Sequence, residues 1–339
     1  MMNVANTGTS SGGGRSARYR GLHIEALVTA VVGVLLIFYI GDSAYIQDLA
    51  ILAIAYAFLA LGMYLPLALG GQLSLAYNAY FAIGAYAVAM SAPYGQAALW
   101  ASIPAGMALS MLTATILGFS TSRLSGFHLA VATLMFGTAA HTFLVHSSDI
   151  TGGPAGLGNI PRLSFFGMEL GRASLVAVGI VLIWLVATMI ARFRVSLAGL
   201  ALRTQREAPS AAASIGVPPS ALKLFALAAG AAIASIAGIL FALMNQFVLP
   251  ESFSTKVVFL VLFMPILGGL SSPWGTVIGA LLVVAFTFGF DFFQGPGALT
   301  FGVLSLAVLL VAPGGLIGLG GALIGWVRRS SRGRENADA

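Results

Sequence analysis

A few polar side chains interrupt runs that are otherwise almost wholly apolar: Gln72, Ser74, Tyr77 and Asn78 in one short stretch, and Asn245 beside Gln246. In apolar surroundings such groups either bond one helix to another or line a path for a small polar solute. Residue type alone leaves both readings open. A second set lies in a polar stretch: Arg203, Arg206 and Glu207, followed by Ala212, Ser214 and Gly216. Arginines at this spacing share one side of a helix, where they make charge-assisted bonds to carboxylates or phosphates.

Other chemistries find no residues. A phosphate-cradling loop needs Gly-Lys-Ser/Thr, but the only lysines, Lys223 and Lys256, follow Leu222 and Thr255. His23, His128, His141 and His146 form no HExxH-like pattern, and no GxSxG elbow or Mg-holding acid cluster is present. No catalytic residue, metal site or cofactor is therefore predicted in this chain, which cannot be its own ATPase. Ion-coupled carriers place acids or bases in mid-span. Here Asp42, Asp48, Asp149, Glu169, Glu251 and Asp291 all fall at or beyond the ends of the apolar runs. His128 and His141 lie inside one run and read as packing residues with hydrogen-bond partners.

The elements that must position these residues follow from composition. The chain has 339 residues, 59% hydrophobic and only 8% charged, with 42 glycines and no cysteine. A soluble domain carries roughly 25% charged residues, so water is not the main solvent of this one. Mean hydropathy is +0.98, and several apolar runs are long enough to cross a hydrocarbon core about 30 Å thick. The fold class is thus all-α, a polytopic transmembrane helical bundle. A soluble enzyme, a nucleic-acid binder and a disordered protein are excluded. The absence of cysteine carries no information on redox compartment.

Apolar runs read against turns and charges give ten segments, near 22–41, 46–68, 72–91, 98–120, 124–146, 173–191, 221–246, 257–270, 275–292 and 298–326. The run at 257–270 is short and holds Pro265, so it and the Gly-rich 313–325 are candidates for broken or re-entrant helices. Residues 1–20 read as a disordered cytoplasmic tail, 21–327 as the membrane domain and 328–339 as a second cytoplasmic tail. The run after Arg20 is too long for a signal peptide and has no convincing cleavage site, so it counts as the first span.

With both termini on one side, every Lys and Arg except Arg162, Arg172 and Lys256 falls on that side, which the positive-inside bias makes cytoplasmic. The net charge of +6 then needs no acidic partner. Two connecting segments remain. The outer loop 147–172 is dense in Gly and Pro and reads as turns. The inner loop 192–220 holds good helix formers from Ser196 to Ile215, interrupted by Pro209 and stopped by Gly216. A short amphipathic helix on the cytoplasmic surface fits, with its arginines toward a soluble partner or toward lipid phosphates. The spacings Gly230/Ala234/Gly238, Gly275/Gly279 and Gly314/Gly318 predict close helix contacts. Leu69-Gly-Gly-Gln-Leu-Ser74 is echoed by Leu267-Gly-Gly-Leu-Ser-Ser272, each breaking the chain before a small-residue-rich run.

Four stretches in order, across roughly residues 45–320, resemble one family. Gly71-Gln-Leu-Ser-Leu-Ala-Tyr-Asn-Ala-Tyr-Phe-Ala-Ile-Gly-Ala-Tyr86, Thr151-Gly-Gly-Pro-Ala-Gly-Leu157, Leu267-Gly-Gly-Leu-Ser-Ser-Pro-Trp-Gly-Thr-Val-Ile-Gly-Ala280 and Ala312-Pro-Gly-Gly-Leu-Ile-Gly318 look like signatures of the permease subunits of branched-chain amino-acid type ABC importers, in particular the LivM-like half of the pair. Ala76-Tyr77 stand where that family usually has Gly-His. The stretch 201–216 is similar to the family's ATPase-engaging loop, matching at Arg203, Arg206, Glu207, Ala212, Ser214 and Gly216 and departing at Ala208, Pro209 and Ser210.

The resemblance implies a non-catalytic permease of a bacterial inner membrane that imports a branched-chain or hydrophobic amino acid, or a related small carboxylate or amide. It implies partners: a second, LivH-like permease, two cytoplasmic ABC ATPases that bind the ATP and Mg, and an extracytoplasmic substrate-binding protein, all within membrane lipid. Gln72, Ser74, Tyr77 and Asn78 would line the path. A self-contained secondary carrier or channel is the alternative.

Overall fold

The computed structural model describes residues 44–124, 126–165, 167–208, 210, 212, 219–289 and 315. The first of the ten expected segments and, apart from Gly315, the last lie outside these residues, as do Ser214 and Gly216. The described elements are helical apart from one short hairpin: α1 Ala44–Tyr64, α2 Tyr77–Ser91, α3 Gln96–Ser120, α4 Phe127–His146, β1 Ser164–Phe165, β2 Met168–Glu169, α5 Arg172–Val195, α6 Leu197–Glu207, α7 Pro219–Asn245, α8 Thr255–Gly268 and α9 Pro273–Val284. The strands pair antiparallel in the outer loop, Ser164 opposite Glu169.

Among the described residues, five helices are long and apolar enough to cross a membrane: Tyr45–Leu69, Gln96–Ser120, Phe127–His146, Arg172–Val195 and Ala221–Asn245. Their burial separates centre from periphery. The most apolar stretch is 83% buried in α1 and 67% in α7, but 28% in α3 and α4 and 33% in α5. In α3 the buried residues beyond Leu99 are small ones on one stripe, Ser102, Gly106, Ser110, Ala114 and Gly118, while Leu109, Met111, Leu112, Ile116 and Phe119 point outward. That inversion of the soluble pattern is what lipid permits, because lipid tails are as apolar as leucine and only close packing favours helix contact.

Small residues bring α7 against α1 and α2. A Cβ on Gly84 would run into the Ser235 carbonyl, and one on Gly238 into the Phe81 carbonyl. Gly230 faces Gly62 across the α1–α7 contact. Gly275 and Gly279 do the same for α8 and α9, where Gly268 meets the Gly275 carbonyl and Gly279 the Met264 carbonyl. Both sequence spacings thus act as expected, and Gly314/Gly318 lies outside the described residues. With 14 residues at about 1.5 Å each, α8 is too short to cross the core.

The third segment departs from a continuous helix over 72–91. Helix α1 ends in a wide turn, Leu65–Leu69, around Pro66, which has no N–H to give. Gly71 then takes φ +64, and the chain runs non-helically to Ala76 before α2 begins. The echoing stretch repeats this: α8 ends at Gly268 and Gly269 takes φ +108 before α9.

Two opposite ends are defined by contacts. At one, Arg172 at the start of α5 donates to Asp48 near the start of α1 at 2.9 Å, beside the outer loop with its Arg162–Glu169 pair. The other gathers the end of α1, Arg192 and Arg194 at the end of α5, and α6.

Candidate translocation and coupling site

The extended break after α1 carries Gln72 and Ser74 into the bundle, and α2 begins with Tyr77 and Asn78. All but Gln72 are fully buried, at 1% exposure for Ser74, Tyr77 and Asn78. Tyr77 is committed: its hydroxyl donates to the Gly62 carbonyl at 2.9 Å, and its ring meets Tyr80 edge-on. Asn78 ties three elements together, its Nδ2 donating to Gly137 in α4 at 3.0 Å and to Phe253 at 3.1 Å. The break itself is held to α4 by Leu75 N–H donating to Thr133 Oγ1 at 2.8 Å. What remains is a set of acceptors: Gln72 Oε1, Ser74 Oγ and Asn78 Oδ1 are buried without a partner among the described residues. Buried unpartnered oxygens are costly unless a solute or water reaches them.

Asn245 and Gln246 do other work. Asn245 Nδ2 donates to Phe241 in its own helix. Gln246, at φ +58, accepts from Ile160 N–H and returns its Nε2 to the Ile160 carbonyl. The outer loop is thereby pinned to the end of α7. Leu157 and Val248 exchange both backbone bonds at 2.9 and 2.8 Å, and Gly156, at φ +70, sits where a Cβ would strike the Val248 carbonyl. The Gly-rich loop is accordingly a set of ordered turns.

His128 departs from the packing role expected of it, since it is exposed in the first turn of α4. His141 lies on the same face of α4 as Thr133 and Gly137 and holds Nε2 3.6 Å from Glu251 of the Pro250–Phe253 turn. Glu251, Phe253 and Thr133 were not singled out by sequence. Phe253 contributes a backbone carbonyl, Thr133 a hydroxyl that accepts a backbone N–H, and Glu251 a carboxylate beside His141, all through chain crossings that residue type does not signal.

At the other end, α6 starts with a built cap: Ser196 Oγ accepts from Gly199 N–H at 3.3 Å. Gly199, Leu202 and Gln205 are buried on one face, whereas Leu197 and Leu200 are exposed. Gln205 is 3% exposed, and neither amide atom has a partner among the described residues. Arg203 is half-buried, Glu207 exposed and Ala212 buried. Arg206 turns inward: its Nη1 donates to the Ala68 carbonyl at the end of α1. The helix ends at Glu207, where Ala208 leaves the helical conformation (φ −145, ψ 76) before Pro209, the interruption read from sequence, and Ser210 and Ala212 are again helical.

A model of the permease component of branched-chain amino acid transport systems matches residues 45–313. The chain belongs to this permease family. The permease is 32% identical over 294 residues to the high-affinity branched-chain amino acid transport system permease protein LivM of Salmonella typhimurium and, equally, to that of Escherichia coli, covering 80% of this chain and 69% of each relative. No solved structure gives a significant match. The matched region of the permease holds both the buried polar break and α6, so both belong to the family's membrane-transport body.

Proposed function

We propose that this permease is the LivM-like subunit of an ABC importer for branched-chain or chemically related small solutes. It is a multi-pass protein of a bacterial inner membrane with both termini cytoplasmic. A LivH-like permease completes the pathway, two ABC ATPases bind ATP and Mg on the cytoplasmic side, and a binding protein delivers the solute from outside. The observation that carries this reading is α6 in a chain of this family: a preformed, N-capped helix at the end opposite the outer loop, with Arg203 and Glu207 accessible to a soluble partner.

Gln72, Ser74 and Asn78 offer the passing solute three unpartnered oxygens, the complement of an ammonium or amide N–H. Tyr77 supports the wall by fixing α2 to α1. Loop residues 201–216 transmit ATPase closure, which rocks the helices around the path.

Extraction of the tagged chain from its native membrane in mild detergent tests the assembly. Two ATPases and a second permease are expected to co-purify. Recovery of the chain alone, moving solute in liposomes without ATP, would contradict the reading and favour a self-contained carrier.

A further inference from the structure

Arg206 is exposed on α6, yet one nitrogen of its guanidinium turns back to this chain's own backbone. Nη1 donates to the Ala68 carbonyl, 138 residues away, at 2.5 Å. That carbonyl is among the last of α1, whose terminal C=O groups have no donor ahead of them and carry the negative end of the helix dipole. An arginine there is a charge-assisted cap. The side-chain stem is equally constrained. It lies over Gly71, where an added Cβ would stand 2.7 Å from Arg206 Cγ and 3.2 Å from Cδ. Gly71 also adopts φ +64, which a side chain would strain.

The two contacts fall at the start of the extended break that carries Gln72 and Ser74 to Tyr77 and Asn78. Gln72 N–H closes the same turn on the Pro66 carbonyl at 2.9 Å. A displacement of α6 therefore pulls on the end of α1 and on the first residue of the break. No other side chain of α6 reaches a backbone carbonyl of the break or of the turn before it among the described hydrogen bonds.

We infer that Arg206 is an internal positioning residue, which couples α6 to the buried polar break through the Ala68 carbonyl and Gly71 instead of docking the ATPases. This rests on the importer reading above and assigns one of the loop arginines a different task within it. Arg203, on the same helix, is left as the docking arginine.

The test uses the transporter assembled with its co-purifying subunits and binding protein in proteoliposomes, with Arg206→Ala, Arg206→Lys and Gly71→Ala. Three quantities are read: ATPase subunits retained, ATP hydrolysed and leucine taken up. In Arg206→Ala and Gly71→Ala the ATPases are expected to remain and to hydrolyse ATP, while uptake falls about tenfold, the size of a typical coupling free energy between sites. Arg206→Lys, which keeps a charged donor at the carbonyl, is expected to recover most of that uptake. Loss of the ATPases from Arg206→Ala, with Gly71→Ala unaffected, would make Arg206 a docking residue and overturn the inference. Normal uptake in both variants would overturn it as well. Should Arg206→Ala fail to insert, Arg206→Met takes its place with the same expected outcome, because it keeps an apolar stem over Gly71 while removing the donor to Ala68. A wild-type chain that carries no ATPases would instead sink the importer reading, a failure visible before any variant is made.

Discussion

Asn78 and Asn245 show how the same side chain takes on different weight with position. Asn78 is buried and bonds two other elements, at Gly137 and Phe253, whereas Asn245 bonds only a carbonyl of its own helix. Interhelical side-chain bonds in membranes contribute about 0.6 to 1.7 kcal/mol each. Asn78→Ala is expected to lower the stability of the detergent-solubilised protein by roughly 1–3 kcal/mol, since it also orphans two carbonyls. Asn245→Ala should stay within about 0.5 kcal/mol. Thermal unfolding of the two variants side by side gives the comparison, and equal losses would contradict it. At this scale the sequence was half legible. That Gln72, Ser74, Tyr77 and Asn78 are special was visible from polar atoms in an apolar run. That Tyr77 bonds Gly62 and Arg206 bonds Ala68 was not, because a carbonyl acceptor is the same on every residue.

Helices were legible where length and apolarity coincide, as in α1, α3, α4, α5 and α7, whose ends fall within a few residues of the expected ones. A break at Leu69–Ser74 was legible from Gly70-Gly71 and the echo at 267–272, but its extension to Ala76 was not, since the expected helix began at 72. The positive φ of Gly71 is a tertiary outcome. The contact of α2 with α7 was legible in part, through Gly230/Ala234/Gly238, while its partner glycine, Gly84, gave no periodic signal. Gly84→Leu is expected to force the two helices apart at Ser235 and to cost at least about 1–3 kcal/mol, read as a lower unfolding temperature. A variant as stable as the parent would mean the helices do not touch there. Ser196→Ala removes the cap of α6, with an expected loss of about 1 kcal/mol of local helix stability. Faster amide exchange confined to residues 197–207 is the signature, and unchanged exchange would mean the cap is idle.

For the molecule as a whole, the contacts separate an end holding Asp48, Arg172 and the outer loop from an end holding Ala68 and α6. The basic-residue bias predicts the first end outside and the second in the cytoplasm. Because the chain has no cysteine, Glu169→Cys and Glu207→Cys give clean single labels. An impermeant maleimide added to spheroplasts should modify the first, and the second only after permeabilisation. The reverse pattern would invert the topology. The Asp48–Arg172 pair itself is half exposed on both sides, at 58% and 44%, so Asp48→Asn should change stability by less than about 1 kcal/mol. ATP-driven import through this chain is measured most directly as radiolabelled leucine uptake into proteoliposomes holding the co-purified complex and its binding protein, with and without enclosed ATP. Accumulation only with ATP and binding protein, abolished by Ala at Gln72, Ser74 and Asn78 together, is the predicted result. Uptake that is indifferent to ATP, or unchanged in the triple variant, would contradict it.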